Sequence, residues 1–362
     1  MRIFGFLVLS FWLLAAPALA APTHGRAAAL ERKLRAIAAD YAGRMRIGVA
    51  VIHIPSGEQV SVDGARAYPL GSVFKLPIMV ELARQMQAGG GTTLQTRLTL
   101  REVDKCIGSG NLQYARVGTQ VTVARLVELM ETISDNTATD MIFNRIGVPG
   151  VNAMMWKLGL ESADISLTNR AAYLISLGMG SDFRGLGARA IAKKWLGMSA
   201  AERQAAVSRI LAENRGLTRA AFQQVENASA ARQTGQAYTD DVFLAATVDN
   251  LASPNDIAGL LRALWQGEIL DARWTGYCFD VLSRQQYNTR IPRMLPPAVR
   301  TYHKTGTIAG IVNDAGVIKI SKDSAIALAV FVRDVQEGSR STAETAIARM
   351  SRAAYDTYAG DH

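Results

Sequence analysis

In the stretch YPLGSVFKLP a serine, Ser72, is followed three residues later by a lysine, Lys75, with no histidine nearby. A serine hydroxyl is a weak nucleophile until a neighbouring group takes its proton. On a helix the two side chains lie on one face about a turn apart, which brings the amine within reach of the hydroxyl. Burial among Val73, Phe74 and Leu76 would lower the lysine pKa and make it a usable base. Ser72 would open the helix, where the amide dipoles favour developing negative charge. The chemistry implied is acyl transfer through a serine. Alone, Ser-x-x-Lys carries little weight, since about one match is expected by chance in a chain this long. Two further groups change that. Ser134-Asp135-Asn136 and Lys304-Thr305-Gly306-Thr307 follow in order, and either tripeptide should occur by chance in fewer than about one such chain in ten.

The elements that must position these residues are legible in outline. GRAAALERKLRAIAADYAG has helical spacing, and RIGVAVIHI with EQVSV across Pro55-Ser56-Gly57 reads as a β-hairpin. VFKLPIMVELARQMQ reads as a long apolar helix stopped by three glycines, followed by helices over VTVARLVELMETI, TATDMIFNRIG and VNAMMWKLG. The next ninety residues are mostly helical and polar, with a capping box at Ser199 to Glu202 and a helix opened by Ser253-Pro254. VRTYHKTGT, NDAGVIKIS and AIALAVFVRD then read as strands, and Ser341 to Glu344 as the cap of a closing helix. Strands at both ends and helices between them predict an α+β fold. One antiparallel sheet would be flanked by the N- and C-terminal helices, with an all-helical domain inserted. The expected division is an α/β part over 26–70 and 285–360 and a helical part over 71–284, enlarged at about 161–250.

The opening MRIFGFLVLSFWLLAAPALA has one arginine, a short apolar run and a small-residue end at Ala18-Leu19-Ala20, the layout of a cleaved signal peptide over residues 1–20. The mature chain is therefore expected in the periplasm or outside the cell, without a membrane anchor. The net charge is +9, but the positive residues are scattered and no aromatic-interleaved basic tract is present, so nucleic acid is not an expected partner. The four histidines show no zinc-binding spacing, and no metal or other cofactor is expected. Cys106 and Cys278 are the only cysteines, and they are expected to be unpaired. A monomer acting on a small molecule is the expected state.

The trio of motifs is the signature of class A β-lactamases and penicillin-binding proteins. YPLGSVFKLPIMVELARQMQAG, GSGNLQ, ETISDNTATD, VNAMMWKLGL, RIPRMLP and HKTGTIAGIVNDAGVI all resemble class A serine β-lactamase segments, in the family's order. The resemblance implies Ser72 as nucleophile, Lys75 as base, Ser134 as proton relay to the leaving nitrogen and Lys304 as positive charge beside the substrate carboxylate. It implies further that Asn136 meets the substrate's amide side chain. The backbone N–H groups of Ser72 and Thr307 would form the oxyanion hole. Thr305, Gly306 and Thr307 would pair with an extended substrate by β-addition. Arg290 stands where some family members keep a carboxylate-binding arginine, with Arg293 as a rival. Tyr114 would wall the mouth of the site. Asp135 is expected to orient its loop, and His303, on the opposite strand face, is given no catalytic role.

One family feature is missing. The resemblance leads one to expect Glu-x-x-Leu-Asn after the LGL helix, whose glutamate activates the water that releases the acyl group. The chain instead continues ESADISLTNRAAYLISLG, and an ungapped count puts Asn169 near the glutamate's place. Glu161, Asp164, Glu213, Glu226, Asp240 and Asp241 are substitutes on paper, with Asp240 and Asp241 placed where the enlarged loop must rejoin. Three readings follow: a β-lactam hydrolase with an altered deacylation route, a D,D-peptidase or transpeptidase acting on D-Ala-D-Ala-like peptides, and a penicillin binder that acylates and stalls.

Overall fold

The computed structural model describes residues 23–231 and 235–360. The segment read as a signal peptide lies outside the described residues. Helix α1 (Thr23–Ala39) carries Leu30, Leu34 and Ile37 on one buried stripe, at the i, i+4, i+7 spacing of a helix lying on a sheet. The predicted hairpin follows as β1 (Arg46–His53) and β2 (Gln59–Val62). Short β3 (Tyr68–Pro69) leads into a 3₁₀ turn over Gly71–Phe74 and then α2 (Lys75–Gln87). A small ribbon of β4 (Arg97–Thr99) and β5 (Gln120–Thr122) precedes the bundle of α3 (Val123–Thr132), α4 (Asn136–Ile146) and α5 (Val148–Lys157).

The enlarged middle is five helices: α6 (Asn169–Ser176), α7 (Ala188–Gly197), α8 (Ala200–Glu213), α9 (Arg219–Ala230) and α10 (Gln236–Ala245). The capping box predicted at Ser199 forms, its hydroxyl accepting from Glu202 N while Glu202 bonds back to Ser199 N. These helices share a small core of their own, including Leu174, Phe183, Trp195, Ile210, Phe222 and Leu244. Ile107, from the loop before α3, reaches into that core and joins it to the bundle of α3, α4 and α5.

The chain then returns through β6 (Leu251–Ala252), which pairs with β3, to α11 (Pro254–Trp265) and α12 (Ala272–Leu282). The sequence reading assigned no element to α12; the Asp271 side chain caps it by accepting from Trp274 N. The last strands are β7 (Arg300–Ile308), β8 (Ile311–Lys319) and β9 (Ala325–Arg333), before the closing helix α13 (Arg340–Ala359).

The sheet is antiparallel, in the order β2-β1-β9-β8-β7, so its middle is built from both ends of the chain. Strand β9 shows why AIALAVFV is a continuous apolar run. Ile326, Leu328, Val330 and Val332 pack beneath the terminal helices, while Ala327, Ala329 and Phe331 face the helical side. Both faces are covered, so both sets must be apolar. The alanines on the helical face leave room for α11 to lie close.

One expectation about an element boundary fails. Ser341 does not cap α13: the helix starts at Arg340, its N-cap is Ser339, and no side chain caps it. Glu344, the residue that would complete the box, is drawn instead to Arg290 and Arg340.

Candidate active site

Ser72 sits on the 3₁₀ turn where three elements converge. Asn313 of β8 donates from Nδ2 to Pro69 O (2.7 Å) and Leu70 O (3.1 Å), tying the turn to the sheet. Leu70 N bonds Asn250 O (2.8 Å), and Gly71 N donates to Asp249 Oδ2 (2.6 Å), tying it to the end of the enlarged segment. Gly71 adopts φ +47°, and a Cβ there would stand 3.1 Å from Thr307 N. A Cβ on Gly306 would run into Leu70 O and come within 3.1 Å of Ser72 N. Glycine at both places lets β7 lie backbone to backbone against the nucleophile turn, which is what two facing N–H donors, from Ser72 and Thr307, require.

Ser134 holds φ +60°, a left-handed conformation unusual for a residue with a side chain. The strained turn is fixed by Asp135, which caps α4 by accepting from Ala138 N (2.9 Å) and also takes Leu112 N (2.8 Å). Asp135 therefore orients the loop, as expected. The turn aims the Ser134 hydroxyl between two buried lysines: it accepts from Lys75 Nζ at 3.1 Å and from Lys304 Nζ at 3.0 Å. Lys75 also donates to Ser134 O (2.8 Å) and Asn136 Oδ1 (2.9 Å). All three hydrogens of its ammonium are thus engaged. The hydrogen bonds of the Lys75 amine go to Ser134 and Asn136.

Burial lowers the Lys75 pKa to about 8, against the opposing pull of Asp135, Asp140 and Glu131. Lys304 is lowered as well, by burial first and by the charge of Lys75 second. An amine near neutrality can exchange its proton at working pH.

Ser72, Asn136, Asn169 and Thr307 line one cavity of about 270 Å³, together with Ser109, Tyr173, Glu226, Asp241 and Asp249. Lys75, Ser134 and Lys304 are buried and do not themselves line it; Lys75 reaches it through Asn136. A larger open groove between α12 and β7 contains none of these residues. Thr305 and Gly306 are buried in β7, and Thr307 is exposed towards the cavity.

Two residues expected at the substrate stand elsewhere. Arg290 is only 2 % exposed and is not itself part of the cavity wall, though it bonds Thr307, which is. Its guanidinium donates to Gly306 O (2.9 Å), Asn313 O (2.6 Å), Thr307 Oγ1 (2.6 Å) and Glu344 Oε1 (3.2 Å). It bridges β7 and β8 at the register pair Gly306–Asn313 and braces the Thr307 hydroxyl. Its rival Arg293 reaches Thr345 Oγ1 and does not line the cavity either. Tyr114 is 66 % exposed and outside the cavity wall, its ring covered by the Arg219 guanidinium at 4.8 Å. His303 is buried against Asp314 (2.9 Å) and Asn288 (3.1 Å), away from the cavity.

Asn169 does line the cavity, but its amide turns aside to Asp140 Oδ1 (2.8 Å). Of the substitute carboxylates, Glu213 bonds Ser181 on the surface and Asp240 pairs with Arg189. Glu161 and Asp164 are exposed and outside the cavity wall. Only Glu226 and Asp241 of that set reach it. Sequence reading missed two acidic groups. Asp249 lines the cavity beside Gly71. Glu131, just before the Ser134 turn, is buried with neither carboxylate oxygen hydrogen-bonded among the described residues. Burial raises its pKa, while Lys304 and Lys75 oppose the shift. Glu131 lies three residues before Ser134 on an otherwise apolar helix face, and that lone acid was the available signal.

Comparison with known structures agrees with the fold. A mutant of PBP-A, captured as an acyl-enzyme complex with penicillin G, superposes with a TM-score of 0.65 at 24 % identity, covering 91 % of this chain and 96 % of that one. A β-lactamase from Sphaerobacter thermophilus gives 0.64 at 24 % identity, covering 89 % and 95 %. The TLA-1 extended-spectrum β-lactamase gives 0.65 at 17 % identity, covering 92 % and 99 %. A search of curated proteins finds no significant match. The profile of the β-lactamase enzyme family matches residues 29–358, nearly the whole described chain, and the protein belongs to that family.

Proposed function

We propose that this protein is an exported serine hydrolase that opens β-lactam rings through an acyl-enzyme on Ser72. The observation that carries the reading is the Ser134 hydroxyl held between the two buried lysines, next to Asn136 of the cavity that Ser72 lines. In the proposed reaction the Ser72 oxygen attacks the lactam carbonyl, and its proton passes into the Lys75–Ser134 pair. Ser134 then protonates the departing ring nitrogen as the C–N bond breaks. The oxyanion is held by the N–H groups of Ser72 and Thr307, and the charge of Lys304 faces the substrate carboxylate. Before attack, one of the three bonds on the Lys75 ammonium must open, or its proton must leave, so that the amine can face Ser72. Water then cleaves the ester and restores the hydroxyl.

The layout of residues 1–20 supports export to the periplasm or beyond; among the described residues no helix is long and apolar enough to cross a membrane. A second reading, a D,D-peptidase acting on D-Ala-D-Ala ends, is favoured by the asparagine at position 169. That residue offers no carboxylate to activate water.

Intact-mass measurements after mixing the mature protein with penicillin G separate the readings. An adduct that forms and is lost within seconds supports the hydrolase. A lasting adduct combined with cleavage of a D-Ala-D-Ala peptide supports the peptidase, and a lasting adduct without cleavage supports a binder. If Ser72→Ala still takes up the adduct, Ser72 is not the nucleophile.

A further inference from the structure

The family's water-activating glutamate is absent, yet three carboxylates face the cavity that Ser72 lines: Glu226 on α9, Asp241 on α10, and Asp249 between α10 and β6. They are not equivalent. Glu226 is bonded by Gln223 of its own helix, and the Asp241 helix packs on α7 of the enlarged segment. Asp249 instead accepts the N–H of Gly71, the residue directly before the nucleophile, at 2.6 Å. Its position is locked further by its neighbour. Asn250 gives its backbone oxygen to Leu70 N, and its side chain bonds Ser166 N, Leu167 N and Leu167 O. The carboxyl is therefore fixed one residue from Ser72, on the cavity side, by the point at which the enlarged segment rejoins the older fold.

We propose that Asp249 is the general base that releases the acyl group. The inference rests on Ser72 forming an acyl-enzyme with β-lactams. A water in the cavity attacks the ester carbonyl carbon while the Asp249 carboxylate takes one of its protons. The tetrahedral intermediate collapses with cleavage of the bond to the Ser72 oxygen. That oxygen recovers a proton, ultimately the one held by Asp249, and the opened product leaves as the acid. Burial pushes the Asp249 carboxyl up to about 7, and the amides of Gly71, Asn250 and Leu70 restrain the rise. A base of that strength is matched to neutral pH.

Asp249→Asn is the decisive variant, because the amide oxygen can still accept from Gly71 N but cannot take a proton. With penicillin G, the variant should acylate within a few-fold of the wild-type rate while the adduct lives at least ~100-fold longer, the usual size of a general-base contribution. Equal adduct lifetimes in variant and wild type would overturn the proposal. So would a long-lived adduct in Glu226→Gln or Asp241→Asn but not in Asp249→Asn.

Should Asp249→Asn not fold, the wild-type protein supplies the second measurement. Its deacylation rate should fall about tenfold per pH unit below about 7, and a flat profile from pH 5 to 9 overturns the role. The titratable groups sharing the cavity wall with Asp249 are Glu226, Asp241 and Tyr173, with Lys75 behind Asn136. A wild-type adduct persisting for hours overturns the base role and leaves acylation at Ser72 standing. Uptake of the adduct by Ser72→Ala overturns the underlying reading instead.

Discussion

Replacing Arg290 by methionine distinguishes a strap from a substrate arm. The methionine keeps most of the buried stem and removes the guanidinium. Two buried carbonyl oxygens, of Gly306 and Asn313, then lose a charged donor, at about 1.5–3 kcal/mol each. Glu344 loses one partner but keeps Arg340 at 3.2 Å, so its contribution is at the low end. The sum is about 3–5 kcal/mol, the range for breaking a buried charged pair. A chain of this length has an unfolding entropy near ~0.7 kcal/mol per degree, so the loss corresponds to a fall in Tm of about 4–7 °C. Thermal unfolding followed by circular dichroism reads that directly. Steady-state kinetics with penicillin G, run well below the transition, should show KM raised by less than about tenfold, since Thr307 loses only one of its neighbours. A Tm within about one degree of wild type, joined to a KM more than tenfold higher, would refute the strap and restore Arg290 to the substrate.

Three further outcomes are expected. Ser134→Ala removes the hydroxyl between the lysines and should slow acylation by about 10²–10⁴-fold, read by rapid-mixing mass spectrometry, with the fold intact by circular dichroism. Glu131 has its folded pKa raised from 4.5 to about 7 by burial. Its neutral form is favoured in the fold, so the stability present below pH 4.5 is lost as pH rises through 7. Glu131→Gln should therefore gain Tm relative to wild type at pH 8 compared with pH 5, and no pH-dependent difference would contradict the assignment. Cys106 and Cys278 are free and buried, with both thiols pushed up by burial. The native protein should show no rapid reaction with a disulfide reagent at pH 8, and two thiols per chain should appear on denaturation without reductant.

The parts of the site legible in the sequence are those set by local spacing. Ser72 and Lys75 are three residues apart on a turn entering a helix, and Asp135 must cap the helix that follows it. The sheet was legible for a similar reason: an apolar run such as AIALAVFV has few solutions other than a strand covered on both faces. What stayed hidden depends on directions that only packing decides. Arg290 lies in a family-like segment, but its burial against the carbonyls of Gly306 and Asn313 is decided by packing. Lys75 was expected to face Ser72, and it faces Ser134 because the strained turn at Ser134 offers it two acceptors. Asp249 carried no motif at all. Its meaning comes from a contact with Gly71, far away in the chain, made possible by five helices whose sequences are only generically helical.

The pairing of β1 with β9 has a consequence for how the molecule comes into being. Arg46 lies opposite Arg333, so the central sheet cannot close until almost the whole chain is available. This sheet demands closure of a very long loop. Strand β7, which carries Lys304 and Thr307, belongs to the late-arriving set. A partly made chain can therefore contain Ser72, Lys75 and Ser134 and still lack the second lysine, the Thr307 amide and the Asn313 side chain that ties the nucleophile turn to the sheet. The complete catalytic set exists only once the segment from Arg300 onward is in place.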